Sequence, residues 1–108
     1  MKNLVVLGAT GSIGQSARQV ARDIPDRVRI VGMSAHANGE GLQLAAKEFP
    51  EARTARSSGP DGPEALLELA TLPEADMVLI AIVGTAGLAP ALAAIEAGKD
   101  IAVASKEI

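Results

Sequence analysis

Apolar positions along the chain switch between two periods. Leu4-Val5-Val6-Leu7 is an unbroken aliphatic run closed by Gly8, as expected of a strand covered on both faces, since a strand with one wet face would alternate. From Ile13 the spacing becomes helical: Ile13, Ala17, Val20, Ala21 and Ile24 share a stripe, Gln15, Arg18, Gln19, Arg22 and Asp23 face away, and Pro25 stops the run. Val28 to Met33 is a second apolar run, and Leu42, Ala45, Ala46 and Phe49 form a second stripe ending before Pro50. Residues 51–62 are rich in Arg, Ser, Gly and Pro and hold one strand candidate, Arg53 to Arg56.

Asp61 before Gly62-Pro63-Glu64 predicts a capped helix start with proline in the first turn, carrying Leu66, Leu67, Leu69 and Ala70. Met77 to Val83 is the most apolar strand, Leu88 to Ala97 a helix closed by Gly98, and Ile101 to Ala104 a last strand. Strands alternating with helices require crossover connections, and right-handed crossovers predict an α/β fold: a Rossmann-like, doubly wound parallel sheet in three layers, strand order 3-2-1-4-5.

Composition narrows the chemistry. With 108 residues, 48% of them hydrophobic, the chain has enough apolar material for one core. It has no cysteine and one histidine, His36, which rules out a disulfide framework, a thiol nucleophile and a Cys- or His-rich metal centre. The net charge of −3 and one aromatic residue, Phe49, argue against a nucleic-acid partner. The opening apolar run is far too short for a signal sequence or a membrane helix. A cytoplasmic protein without a membrane partner is expected.

The segment Gly8-Ala9-Thr10-Gly11-Ser12-Ile13-Gly14 follows the first strand and opens the first helix, the context a phosphate-binding glycine turn requires. Its glycines permit a tight turn and close approach of backbone to a diphosphate. The first-turn N–H groups of Gly11, Ser12 and Ile13 point at the anion, and the Thr10 and Ser12 hydroxyls add donors. A helix-end field contributes only about 0.3–1 kcal/mol at exposed sites, so several such bonds must act together. The spacing is GxxGxxG, and a strand-to-helix glycine turn can also be purely structural.

Where NAD-binding folds place an acidic residue for the adenine ribose, this chain reads Ser34-Ala35-His36-Ala37-Asn38. No carboxylate repels a 2′-phosphate there, and no Arg or Lys attracts one. His36 could bond a ribose or phosphate oxygen or be an ordinary surface group. Ala81-Ile82-Val83-Gly84 leads into a second glycine turn at the same sheet edge, expected to line the cofactor crevice, and Ser105-Lys106-Glu107 follows the last strand.

The glycine turn, Ala81 to Pro90, Leu92 to Lys99 and Ser105-Lys106-Glu107 together closely resemble the amino-terminal NADPH domain of 1-deoxy-D-xylulose 5-phosphate reductoisomerase. The likeness covers about residues 1–38 and 73–108. Between them the family usually has a longer segment with an additional strand and helix. The resemblance implies a reductive isomerisation of 1-deoxy-D-xylulose 5-phosphate to 2-C-methyl-D-erythritol 4-phosphate, with NADPH and a divalent metal (Mg or Mn), in the non-mevalonate route to isoprenoids. By motif match it also implies cofactor contacts at Thr10, Gly11, Ser12, Ile13, Asn38 and Glu107 and a substrate contact at Lys106, and Gly8, Gly14, His36, Ala81, Ile82, Val83, Gly84 and Ser105 join them as cofactor-binding candidates at the same sheet edge.

Two departures stand out: the family's Gly-Lys-Asn is here His36-Ala37-Asn38, and its Asn-Lys-Glu is Ser105-Lys106-Glu107. The missing lysine removes one phosphate contact. Because the family's acidic metal ligands follow its Asn-Lys-Glu, residues 1–108 are expected to form a dinucleotide-binding domain that holds no catalytic residue or metal ligand and does not catalyse alone. The alternatives are a stand-alone NAD(P)-binding or sensing module, and the domain of another dehydrogenase of the aspartate-semialdehyde type. The last strand, with Ile101, Val103 and Ile108 uncovered, is expected to be an edge through which the chain self-associates.

Overall fold

The first strand forms the centre of the molecule. In the computed structural model, which describes residues 1–82 and 86–104, β1 (Lys2–Leu7) is flanked by β2 (Val28–Ala35) and β4 (Met77–Ile80), with β3 (Arg53–Arg56) and β5 (Asp100–Val103) outside them. Every pairing is parallel and the order is β3-β2-β1-β4-β5. Both neighbours of β1 are strands and both its faces carry helices, so Val5, Val6 and Leu7 are fully buried. The aliphatic run without alternation has this cause.

Helices α1 (Ser12–Asp23), α2 (Gly39–Glu48), α3 (Gly62–Ala70) and α4 (Leu88–Glu96) divide between two cores. Ala21 of α1 and Leu42 and Ala45 of α2 pack with Val6, Ile30 and Met33 on one face. Leu66 and Leu69 of α3 and Ala91 and Ala94 of α4 pack with Val5, Leu7 and Val78 on the other. The doubly wound, three-layer arrangement is therefore as the alternating pattern predicts. Among the described residues no helix is long and apolar enough to cross a membrane.

Several expectations need correction. The buried side of α1 is Gly14 and Ala21 with Ala17 half-covered, whereas Ile13, Val20 and Ile24 are exposed. Small residues face the sheet because α1 lies close on it, and the branched side chains of the same stripe are turned toward solvent. Asp61 stands at the N-cap of α3 without a side-chain cap bond. Strand β4 ends at Ile80, earlier than its apolar run, and Val83 lies outside the described residues. On the edge strand β5, Ile101 packs against the core formed with α3 and α4, leaving Val103 exposed; Ile108 lies outside the described residues.

The N-terminal edge of the sheet is closed by polar bonds. The Asn3 N–H donates to Asp76 Oδ2 (2.8 Å), its side-chain amide to the Glu74 carbonyl (2.9 Å), and the Asp76 N–H returns to the Asn3 carbonyl (2.8 Å). At the opposite, carboxyl edge lies the Gly8 turn.

Truncation separates the two roles of branched residues. Ile80→Ala, in the middle of the core, is expected to cost about 2–5 kcal/mol of unfolding free energy. Ile24→Ala, on the exposed side of α1, should change it by less than about 0.5 kcal/mol. Urea denaturation of the two variants checks this.

Candidate functional site

Gly8 ends β1 with φ +96°, a left-handed conformation open to glycine at no steric cost. Its backbone also runs against β4: a Cβ on Gly8 would lie 2.5 Å from the Ala81 carbonyl oxygen. The turn is held from the other side by Ser34, a buried polar residue at the end of β2. The Gly8 N–H donates to the Ser34 hydroxyl (3.1 Å) and carbonyl (3.2 Å), and the Ala9 N–H to the same carbonyl (2.7 Å).

Helix α1 then starts directly over this turn. A Cβ on Gly14 would sit 2.1 Å from the Gly8 carbonyl oxygen and 2.6 Å from the Ala9 Cα, so the helix approaches the strand end at a distance only glycine allows. Gly11 is the N-cap and has space: a Cβ there would meet only the Gly8 carbonyl oxygen, at 3.8 Å. No side chain caps α1. The Gly11 N–H, expected among the anion donors, is instead taken by the Gly8 carbonyl (3.3 Å) because the turn closes on itself, and the donors without an acceptor among the described residues are the N–H groups of Ser12, Ile13 and Gly14. Three open donors with a helix field behind them can bind an anion.

A second helix start lies beside the first. Thr10 Cγ2 is 3.0 Å from where a Cβ of Gly41 would be, in the first turn of α2. Asn38 caps that helix, its Oδ1 accepting the Gly41 N–H at 2.9 Å. Its side-chain oxygen is thus occupied by the fold and its NH2 group remains for a ligand. His36 Nδ1 pairs with Ser57 Oγ at 3.1 Å, beyond the end of β3.

The site gains a cation that inspection of residues 34–38 missed. Ala35 is in register with Arg56, and the ladder continues through Ser57 N–H to the Ala35 carbonyl (2.9 Å) and Ser58 N–H to the His36 carbonyl (3.0 Å). Arg56 is thereby carried to the end of β2, with its guanidinium over the start of α2: Nη1 is 3.1 Å from the Cβ position of Gly39. Among the described residues Arg56 takes part in no ion pair. Only strand pairing brings it there. Ser34 was equally hidden, although a small polar residue ending an apolar strand was a usable signal.

The structure thus brings together Gly8, Thr10, Gly11, Ser12, Ile13, Gly14, His36, Asn38 and, through the Gly8–Ala81 contact, the start of the Ala81-Ile82 segment. Val83, Gly84, Ser105, Lys106 and Glu107 lie outside the described residues.

The family model for 1-deoxy-D-xylulose 5-phosphate reductoisomerase matches residues 4–60 and 45–108. The chain belongs to this family. The reductoisomerase of Dechloromonas aromatica is 42% identical over an alignment of 127 residues, covering 100% of this chain and 32% of the relative; that of Methylococcus capsulatus is 42% identical, covering 99% and 32%. The chain therefore spans about a third of the length of these relatives. The alignments exceed its 108 residues, so the relatives carry residues for which this chain has none.

Among solved structures, a reductoisomerase in complex with magnesium superimposes with a TM-score of 0.92 at 35% identity, covering 99% of this chain and 31% of that one. The Zymomonas mobilis reductoisomerase in complex with NADPH gives 0.84 at 33%, covering 98% and 32%. A biliverdin reductase from Synechocystis, in complex with biliverdin and NADP+, gives 0.72 at 26%, covering 94% and 28%.

The two glycines of the turn respond differently to a methyl group. Gly14→Ala forces a contact with rigid backbone and should lower stability by about 1–3 kcal/mol. Gly11→Ala enters open space and should lose less than about 1 kcal/mol, the difference between glycine and alanine at an N-cap. Denaturant midpoints of both variants test the geometry.

Proposed function

We propose that these residues form the NADPH-binding domain of a reductoisomerase of this family, an oxidoreductase of isoprenoid biosynthesis working in the cytoplasm. The observation that carries the reading is the uncapped start of α1, where the N–H groups of Ser12, Ile13 and Gly14 have no acceptor among the described residues and Gly11 brings no side chain into the approach. That donor set suits the diphosphate of a dinucleotide in charge and hydrogen bonding. NADPH solved in the Zymomonas relative supports the same assignment.

In this reading Gly8 and Gly14 shape the turn, and the N–H groups of Ser12, Ile13 and Gly14, with the Thr10 and Ser12 hydroxyls, hold the diphosphate. Gly11 gives it access, Asn38 and His36 face the ribose side, and Ala81 and Ile82 begin the wall toward the nicotinamide. Val83, Gly84, Ser105 and Glu107 are assigned to the cofactor and Lys106 to the sugar phosphate on the family likeness alone. The bound dinucleotide supplies the hydride. The chain's own part is to orient it at the carboxyl edge of the sheet, where open α/β folds bind ligands.

The divalent ion and most contacts to 1-deoxy-D-xylulose 5-phosphate are assigned to the part of the relatives' length that this chain does not span. The supporting likeness is a relative solved with NADPH, fosmidomycin and magnesium. Strand β5, with Val103 exposed at the sheet edge, is the surface for self-association.

Gly11→Asp tests the cradle. Aspartate is favoured at an N-cap, and Gly11 has space for a side chain, so the melting temperature should not fall. The new carboxylate would take the first-turn donors and repel a diphosphate. NADPH affinity should drop by about a hundredfold or more in isothermal titration. Unchanged affinity in a folded variant would remove the turn as the binding site.

A further inference from the structure

We infer that Arg56, delivered from the end of β3, is the residue that recognises the adenosine 2′-phosphate in this chain and so sets the preference for NADPH over NADH. The inference rests on the dinucleotide reading of the glycine turn and goes beyond it by naming a specificity determinant.

Three observations converge on this point. The segment after β2, which borders the adenine ribose in folds of this kind, reads His36-Ala37-Asn38 and offers no permanent cation of its own. A dianionic phosphate placed there without one would be held by neutral donors alone. The register Ala35↔Arg56 puts a guanidinium beside that segment. It lies across Gly39 at the start of α2, with Nη1, Cδ and Cζ at 3.1, 3.5 and 3.8 Å from the Cβ position of that glycine. A larger side chain at residue 39 would meet the guanidinium in this pose.

Arg56 is also exposed and takes part in no ion pair among the described residues, while Arg18, Arg22 and Arg29 each face a glutamate. Its five donors are therefore available to an incoming phosphate, and its planar fork matches two phosphate oxygens at once.

The surrounding groups complete the subsite. Ser57 and His36 are joined through Oγ and Nδ1 at 3.1 Å, one ladder step beyond the Ala35–Arg56 pair, which leaves Nε2 for a second contact. The N-terminal field of the ten-residue α2 adds to the attraction. Glu40, in the first turn of α2, is the carboxylate that opposes it. Arg56, which forms no ion pair with Glu40, balances that carboxylate in charge, and the helix field adds to the attraction for a dianion.

The test compares NADPH and NADH on the full 108-residue chain by isothermal titration. Arg56→Gln and Arg56→Ala, both at an exposed position, should raise the Kd for NADPH about tenfold and leave that for NADH within about twofold. Arg56→Lys should fall between, since it keeps the charge and loses the fork. The dependence of NADPH affinity on salt should flatten in Arg56→Gln, and 2′,5′-ADP should lose its advantage over 5′-ADP as a competitor. Wild-type binding of both dinucleotides with equal losses, or none, in the Arg56 variants overturns the assignment and leaves the glycine-turn reading standing. Failure of the wild-type chain to bind either dinucleotide overturns both.

Discussion

The seating of α1 on the Gly8 turn is the constraint from which the rest of the site follows. A parallel strand has to hand over to its crossover helix at the carboxyl edge of the sheet, and the helix starts as close to the strand end as its first residues permit. With glycine at position 14 the helix rests on the Gly8 carbonyl and the Ala9 backbone. The N–H groups of Ser12, Ile13 and Gly14 stay unpaired there among the described residues. The same contact explains why α1 buries small residues and exposes Ile13, Val20 and Ile24.

Ser34 ties this turn to the neighbouring strand. Its hydroxyl and carbonyl both accept the Gly8 N–H, so the end of β2 is pinned to the end of β1. His36 and Asn38, four residues and fewer beyond, are thereby held near the Gly8 turn. Asn38 then starts α2, and Thr10 lies against that start, so the two helix N-termini stand side by side.

Much of this was legible in the order of residues. The aliphatic run without alternation announced a strand buried on both faces, and strands and helices in turn announced the parallel sheet and its order. The glycine turn was readable because its position, between a strand and a helix, carries the chemistry. Arg56 was not readable, because its nearness to Ala35 depends on β2–β3 register over a separation of some twenty residues, and no local signal encodes it. The half-buried state of Ile101 was hidden for a related reason: an apolar residue on an edge strand is covered or bare according to how far α3 and α4 reach across it.

The amino-acid sequence by itself determined the elements, their alternation, the layered parallel sheet and the glycine turn, because these follow from short-range periodicity and from backbone freedom at single residues. Tertiary structure decided which side of α1 is covered, that Ser34 fastens the turn, and that a guanidinium from the fourth residue of β3 stands beside the segment joining β2 to α2. Those outcomes depend on distances between segments remote in the chain, set by strand register and helix approach.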